Sequence, residues 1–452
     1  MTTAIILLAF SLLIFRVDAK FNPIAFTVAQ DSLKFTIAQV IPYSTTITIH
    51  NPATNITKGV FRCTKNGIYE FQVYAESHSN DRLFLEIYQN NSLAATLYGH
   101  TTADYATAGN AVILKLKVDD TVMIKSKGAY PVYLYNPGTN ENTFTGVEMG
   151  SQYSSNDKRQ LVAFSVVSNH HQNVAGGASV QYNTNLLDDD GSFNLSTGLF
   201  HVPSSGYYVF HFFSALNGSI ARQNEELWQD LVHNGNYVCS IYAFTDYDWA
   251  DAGNTVILHL MEGDTMTVRA HPTLQNNLYG SQDHIFTSFS GVQIISDSDI
   301  AMPGTQDTDP VVIFSVGLTS NATGISNGET IKFDKIFVDN KNTYSRVTGQ
   351  FVAHVTGLYE FYYHCLSAKG TYLSIQLRHN GRTVINGAHA HNKGHRASSG
   401  NSAVMELSGG ETMDVSGTPS SGYNYLIGGA NETFCTFSGH LLYAYGPGAI
   451  IG

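Results

Sequence analysis

The pattern Gly-x-Phe-x5-Gly-x-Tyr-x-Phe occurs three times, once in each third of the chain. The copies are Gly59-Phe61-Gly67-Tyr69-Phe71, Gly198-Phe200-Gly206-Tyr208-Phe210 and Gly349-Phe351-Gly357-Tyr359-Phe361. Aromatic residues at every second position lie on one face of a β-strand. The second glycine of each copy is read as marking a tight turn before that strand. Three copies at matching spacing mean three copies of one domain.

Further landmarks share the period. Each copy opens with an apolar strand, at Ile24–Val28, Val162–Val166 and Val312–Val316. A Gly-Asn pair (Gly109-Asn110, Gly253-Asn254, Gly400-Asn401) introduces an apolar run, and each copy closes with Phe-x-Gly at Phe144-Gly146, Phe289-Gly291 and Phe437-Gly439. Short alternating runs separated by Gly, Asn, Asp and Pro predict strands, with Asn234-Gly235 and Asn380-Gly381 as hairpin turns. The expected fold is all-β: three tandem antiparallel jelly-roll sandwiches.

Residues 1–19 read as a signal peptide, an apolar run from Ala4 to Phe15 followed by the small residues Val17-Asp18-Ala19. The rest divides into a divergent domain at 20–150, a linker at 151–159, a second domain at 160–295, a linker at 296–310, a third domain at 311–446 and a tail at 447–452. The expected product is secreted and extracellular, with no membrane insertion, since no later stretch is apolar long enough to span a bilayer.

The net charge of −12 argues against a nucleic-acid backbone as partner. Six Asn-x-Ser/Thr sequons at Asn55, Asn90, Asn194, Asn217, Asn321 and Asn431 are candidate glycosylation sites. Four cysteines do not repeat with the domains. Cys365 and Cys435 share the third copy, where a disulfide and two buried thiols are both open. No Gly-x-Ser-x-Gly, P-loop or HExxH motif occurs, and an enzyme is not expected.

The third copy reads Phe333-x5-Asp339-x4-Tyr344-x6-Phe351-x5-Gly357-x-Tyr359-x-Phe361-x-Tyr363. This resembles the signature of the globular C1q domain at every position. The second copy differs only by Tyr182 at the first position, while the first keeps only Phe61 to Phe71, with Ile49, Thr54 and Val73 at the other sites. The resemblance implies a ten-stranded jelly roll, related to tumour-necrosis-factor ligands and normally trimeric, in which the strands of Cys365 and Cys435 are neighbours. Asp188 and Asp339 are read as holding turns by bonding loop amides.

Some C1q-like heads bind calcium through loop carboxylates near the trimer apex. That makes Asp104, Asp246, Asp248 and Asp251 candidate Ca2+ ligands, with a solvated acidic loop as the alternative. In the third copy His389, His391 and His395 occupy the corresponding loop as candidate zinc ligands, although their spacing fits no structural zinc motif. The implied function is multivalent recognition of glycans or microbial surface molecules in innate immunity. The alternatives are a signalling or cell-adhesion ligand for a cell-surface receptor, and a structural matrix component. A linker of about nine residues reaches about 30 Å. The chain is therefore able to fold on itself as an internal pseudo-trimer, while a homotrimer of chains remains the competing arrangement.

Overall fold

In the computed structural model each third of the chain forms stacked antiparallel sheets. Residues 22–446 are described, apart from 37, 78–80, 101–104, 128–130, 137–139, 152–160, 217, 219–224, 246–248, 301–309, 391–393 and 419–423. The leader, the tail and most of both linkers lie outside the described residues.

In the first domain the opening strand Ala25–Gln30 lies between Thr45–His50 and the closing strand Asn142–Ser151. The closing strand pairs with the motif strand Gly67–Ser77, which pairs in turn with the Gly-Asn strand Ala106–Leu116. A second sheet orders Ile56–Thr57, Val60–Arg62, Thr121–Ser126, Arg82–Gln89 and Ser92–His100. The corresponding motif strands are Gly206–Leu216 and Gly357–Leu366, between closing strands Thr287–Ser296 and Thr436–Ala444 and Gly-Asn strands Ala250–Leu260 and Ser398–Leu407. Strands far apart in sequence are neighbours in each sheet, which is the jelly-roll connection.

The repeated residues now have physical roles. Across the strands, Phe26, Gly146 and Phe71 are register partners, as are Phe164, Gly291 and Phe210, and Phe314, Gly439 and Phe361. A Cβ on Gly291 would stand 2.6 Å from the Phe164 ring and 2.8 Å from the Phe210 ring. The closing glycine therefore makes room for two rings, which pack with Phe289 into a fully buried aromatic core. The hairpin expectation also holds, since Asn234, Gly235, Asn380 and Gly381 all have positive φ.

The second motif glycine has a different reason from the expected turn. Gly67, Gly206 and Gly357 each begin the strand itself, and an added Cβ would lie 2.7, 2.3 and 2.4 Å from the carbonyl oxygens of Gly150, Ile295 and Tyr443. Close approach of the closing strand, rather than a turn, demands glycine here.

The three sandwiches pack about a common axis within the one chain. One apolar cluster draws Ile68 and Ile113 from the first domain, Val209, Ile257 and Val292 from the second, and Ile313 and Tyr362 from the third. The Gly-Asn pairs are the repeated fasteners. Asn110 donates to the Phe286 carbonyl at 3.3 Å and accepts from the Ser288 hydroxyl at 2.7 Å. Asn254 does the same with Phe434 (3.2 Å) and Thr436 (2.5 Å), and Asn401 with Glu141 (3.3 Å) and Thr143 (2.6 Å). Each domain thus clamps the next, and the third clamps the first. Backbone amides of Ile113, Ile257 and Val404 donate across the same seams to Ser165, Ser315 and Thr27. The preceding glycine admits an axial side chain: a Cβ on Gly253 would meet Phe213 at 1.9 Å, and one on Gly400 would meet His364 at 2.2 Å.

The second face of each motif strand is aimed at that axis, and its residues differ between domains. Glu70, Val209 and Glu360 occupy one equivalent position, Gln72, His211 and Tyr362 the next, and Tyr74, Phe213 and His364 the next; all are buried. Glu70 faces His211 at 3.1 Å, the Gln72 amide donates to Glu70 (2.5 Å) and Glu360 (3.2 Å), and the Tyr74 hydroxyl sits 3.0 Å from His364. Burial pushes Glu70 up, but the charges of His211 and His440 and the Gln72 bond outweigh it and hold the carboxyl below its usual range. Burial, reinforced by Glu70, raises Glu360 well above that range. Burial lowers His364 to about 3 and His440 to about 4, helped in both by the charge of His211.

Two outcomes are expected from this packing. Asn254→Ala leaves the Thr436 hydroxyl only its 3.3 Å bond to the Thr255 carbonyl and strands the Phe434 carbonyl in the seam, at about 1–3 kcal/mol, and lowers the thermal midpoint by several degrees in calorimetry. The midpoint should also fall with pH. His364 and His440 stay neutral when packed but take up protons near pH 6.5 when released, so their contribution is lost from pH 6.5 downward. Raised Glu360 and raised Asp251 have the opposite sign and offset both protons down to about pH 4.5. Below that, the offset ends and Glu70, held low, joins the loss, so the fall is concentrated there. His364→Phe should flatten the profile in a pH series of melting curves, and a wild-type midpoint level from pH 6.5 to 3.5 would contradict it.

Candidate functional site

The end of the axis where the Gly-Asn strands begin is built from all three domains. Tyr74, Phe213 and His364 form a ring trio with centroids 5.7 to 6.4 Å apart. Beyond it lies a cavity of about 60 Å³ lined by Gly99, His100, Tyr105, Phe244, Asp251, Arg396 and Ser398, among others. That is space for a few water-sized groups. Its walls come from the hairpin ends and from the strand starts Ala106, Ala250 and Ser398, so the cavity exists only when the domains are assembled.

Its two charged groups differ in character. Asp251 is half-buried, and its withdrawal from water raises its carboxyl well above the usual range although the Tyr98 and Gly109 amides partly oppose this. The Tyr98 amide donates to it at 3.3 Å, so Asp251 ties the second domain to the first. The Arg396 guanidinium lies 5.4 Å over the Tyr242 ring, a cation–π contact between the third and second domains.

The metal candidates are only partly visible. Asp104, Asp246, Asp248 and His391 lie outside the described residues, as does the side chain of His389. His395 stacks on Phe244 of the second domain, with ring centroids 3.4 Å apart. Among the described residues, no group of three or more His, Cys, Asp or Glu side chains is arranged to hold a metal ion.

Asn55, Asn90, Asn194, Asn321 and Asn431 are exposed, whereas Asn217 lies outside the described residues. The Asn90 side chain is engaged, accepting from the Thr121 amide at 2.9 Å and donating to Asp120 at 3.0 Å. Cys365 and Cys435 interact with each other in the third core but stand as buried free thiols, not as the disulfide entertained from the sequence; burial drives the Cys365 pKa well up. Asp339 accepts from the Thr343 and Tyr344 amides at 2.8 and 3.0 Å, the turn-holding role expected of it.

The lateral seams are features that the repeat pattern does not reveal. Between the first and second domains, Trp249 packs on Tyr98 (5.0 Å) and Phe84 (6.3 Å). Between the second and third, Trp228 packs on Phe434 at 5.5 Å. At the seam joining the third to the first, His50 meets Glu406 at 3.4 Å and packs on the Tyr443 and Tyr445 rings at 5.5 and 5.7 Å, and Tyr445 donates to Glu406 at 2.6 Å. Both tryptophans of the chain belong to the middle domain, where Trp228 stands at the position of Phe84 and Trp249 at that of Tyr105 in the first copy.

The C1q domain family model matches residues 25–147, 163–294 and 313–442. Complement C1q and tumor necrosis factor-related protein 9B of Homo sapiens is 31% identical over 135 residues, which is 30% of this chain and 40% of that protein. Complement C1q tumor necrosis factor-related protein 3 of Mus musculus is 31% identical over 100 residues, or 22% and 37%. The matches therefore span about two-fifths of these relatives. The globular domain of zebrafish complement 1qA protein aligns with 22% identity over 30% of this chain and 98% of its own, at a TM-score of 0.25. No helix among the described residues is long and apolar enough to cross a membrane. With three matched segments covering most of its length, the chain belongs to the C1q domain family and carries three tandem copies of that domain.

Proposed function

We propose that this chain is a secreted, non-enzymatic recognition protein in which one polypeptide supplies the whole three-headed unit. Its ligands are glycans or other molecules of microbial surfaces. The observation carrying this reading is the axial-end cavity, whose wall takes residues from all three domains and is therefore a composite, asymmetric surface. Three different loop sets on one rigid body bind a repetitive surface with avidity that no single weak site reaches. The exposed sequons agree with passage through a secretory route.

A second reading, an extracellular signalling or adhesion ligand for a cell-surface receptor, is favoured by the C1q and tumor necrosis factor-related relatives. Its contact surface would be the chemically distinct lateral seams, one around Trp249 and one around His50 and Glu406.

Fluorescently labelled chain should bind bacterial or yeast cells, and free sugars at millimolar concentration should release it. Saturable, sugar-insensitive binding to a protein on animal cells would replace the first reading with the second. Binding to neither, with insoluble self-association instead, would favour a matrix role.

A further inference from the structure

We propose that the polar side chains on the axis form an address code: each domain's axial face fits the other two domains of the same chain and rejects further copies of itself. This holds whatever the ligand is. The Asn fasteners are chemically alike at all three seams, each using one carbonyl and one Ser or Thr hydroxyl, so they accept any order of domains. The axial contacts do not. Glu70 of the first domain meets His211 of the second, Gln72 of the first meets Glu360 of the third, Tyr74 of the first meets His364 of the third, and the His211 ring stands edge-on to Tyr362 at 5.5 Å.

None of these pairings exists in a trimer of one domain. Three first domains would bring three Glu70 carboxylates together without an imidazole. Three third domains would converge three Glu360 carboxyls and leave three His364 rings without the Tyr74 hydroxyl. Three second domains would bury three His211 rings with no carboxylate. Like charges forced together in a dry site cost several kcal/mol, and such a mismatch is how one partner is refused in favour of another.

The same axis is not built for maximum stability. Gln72 Oε1 and both His440 nitrogens are buried without a hydrogen-bond partner, and the Tyr362 hydroxyl is held among the Glu70 and Glu360 carboxyls. Buried ionic groups often add little stability compared with apolar residues, and fixing register or partner is their best-attested use. Val209, at the position of Glu70 and Glu360, shows that an apolar residue fits there.

The test uses the full chain carrying two different affinity tags, co-expressed. Wild-type chains should purify separately. Glu70→Val with His211→Gln and Glu360→Val levels the axis; it should melt at or above the wild-type temperature while co-purification of the two tags rises at least tenfold. Separate purification of this levelled variant would overturn the code and leave order to the linkers and lateral seams. A second comparison does not depend on that variant folding. His211→Glu alone, which gathers three carboxylates, should lose the single-chain particle, and adding Glu70→His should restore it. A double variant no better than His211→Glu alone would also overturn the code.

Discussion

The motif strands Gly67–Ser77, Gly206–Leu216 and Gly357–Leu366 are buried along nearly their whole length on both faces. An antiparallel sheet ordinarily gives one face to a core and the other to water. Here the aromatic face closes each sandwich, and the opposite face is withdrawn from water by the other two domains. A lone domain of this chain would expose Val209, Phe213 and the Tyr207 ring, or Leu358 and Tyr362, next to partly satisfied polar groups. Assembly about the axis is therefore part of folding, and the order in which the seams close follows from one polypeptide carrying all three partners.

Covalent linkage changes what the assembly offers to a ligand. A trimer of identical domains presents three identical faces, whereas this chain has one seam at Trp249, a second at Trp228 and a third where His50 meets Glu406 and two tyrosine rings. The axial-end cavity is asymmetric for the same reason, with Arg396 contributed by one domain and Asp251 by another. Linking the domains holds their effective concentration fixed, so dilution does not dismantle the unit. Loop sites are then free to diverge, because none has to serve three identical positions.

Much of the fold was legible because packing imposes short-range rules on residue type. The Phe-x-Gly ending, the Gly-Asn pair and the Asn-Gly hairpins each mark a place where a ring, a clamp or a positive φ leaves one suitable residue. The axis was not legible. Glu70, Gln72, His211 and Glu360 occupy the polar half of a period-two alternation, and that pattern reads the same for a solvated face as for a polar interface. Trp228 and Trp249 were silent because their positions, aromatic in the first copy but Ser374 and Arg396 in the third, hold no single repeated residue type. The motif glycines were noticed, but their cause is a carbonyl from a strand more than eighty residues later, which local reasoning about turns does not reach.

The mass of the chain in solution, measured by light scattering over a hundredfold range of concentration, bears most directly on this architecture. One chain per particle at every concentration is expected, because all three axial faces are covered internally. A particle of three chains, with each domain assembled on its own kind, would contradict it.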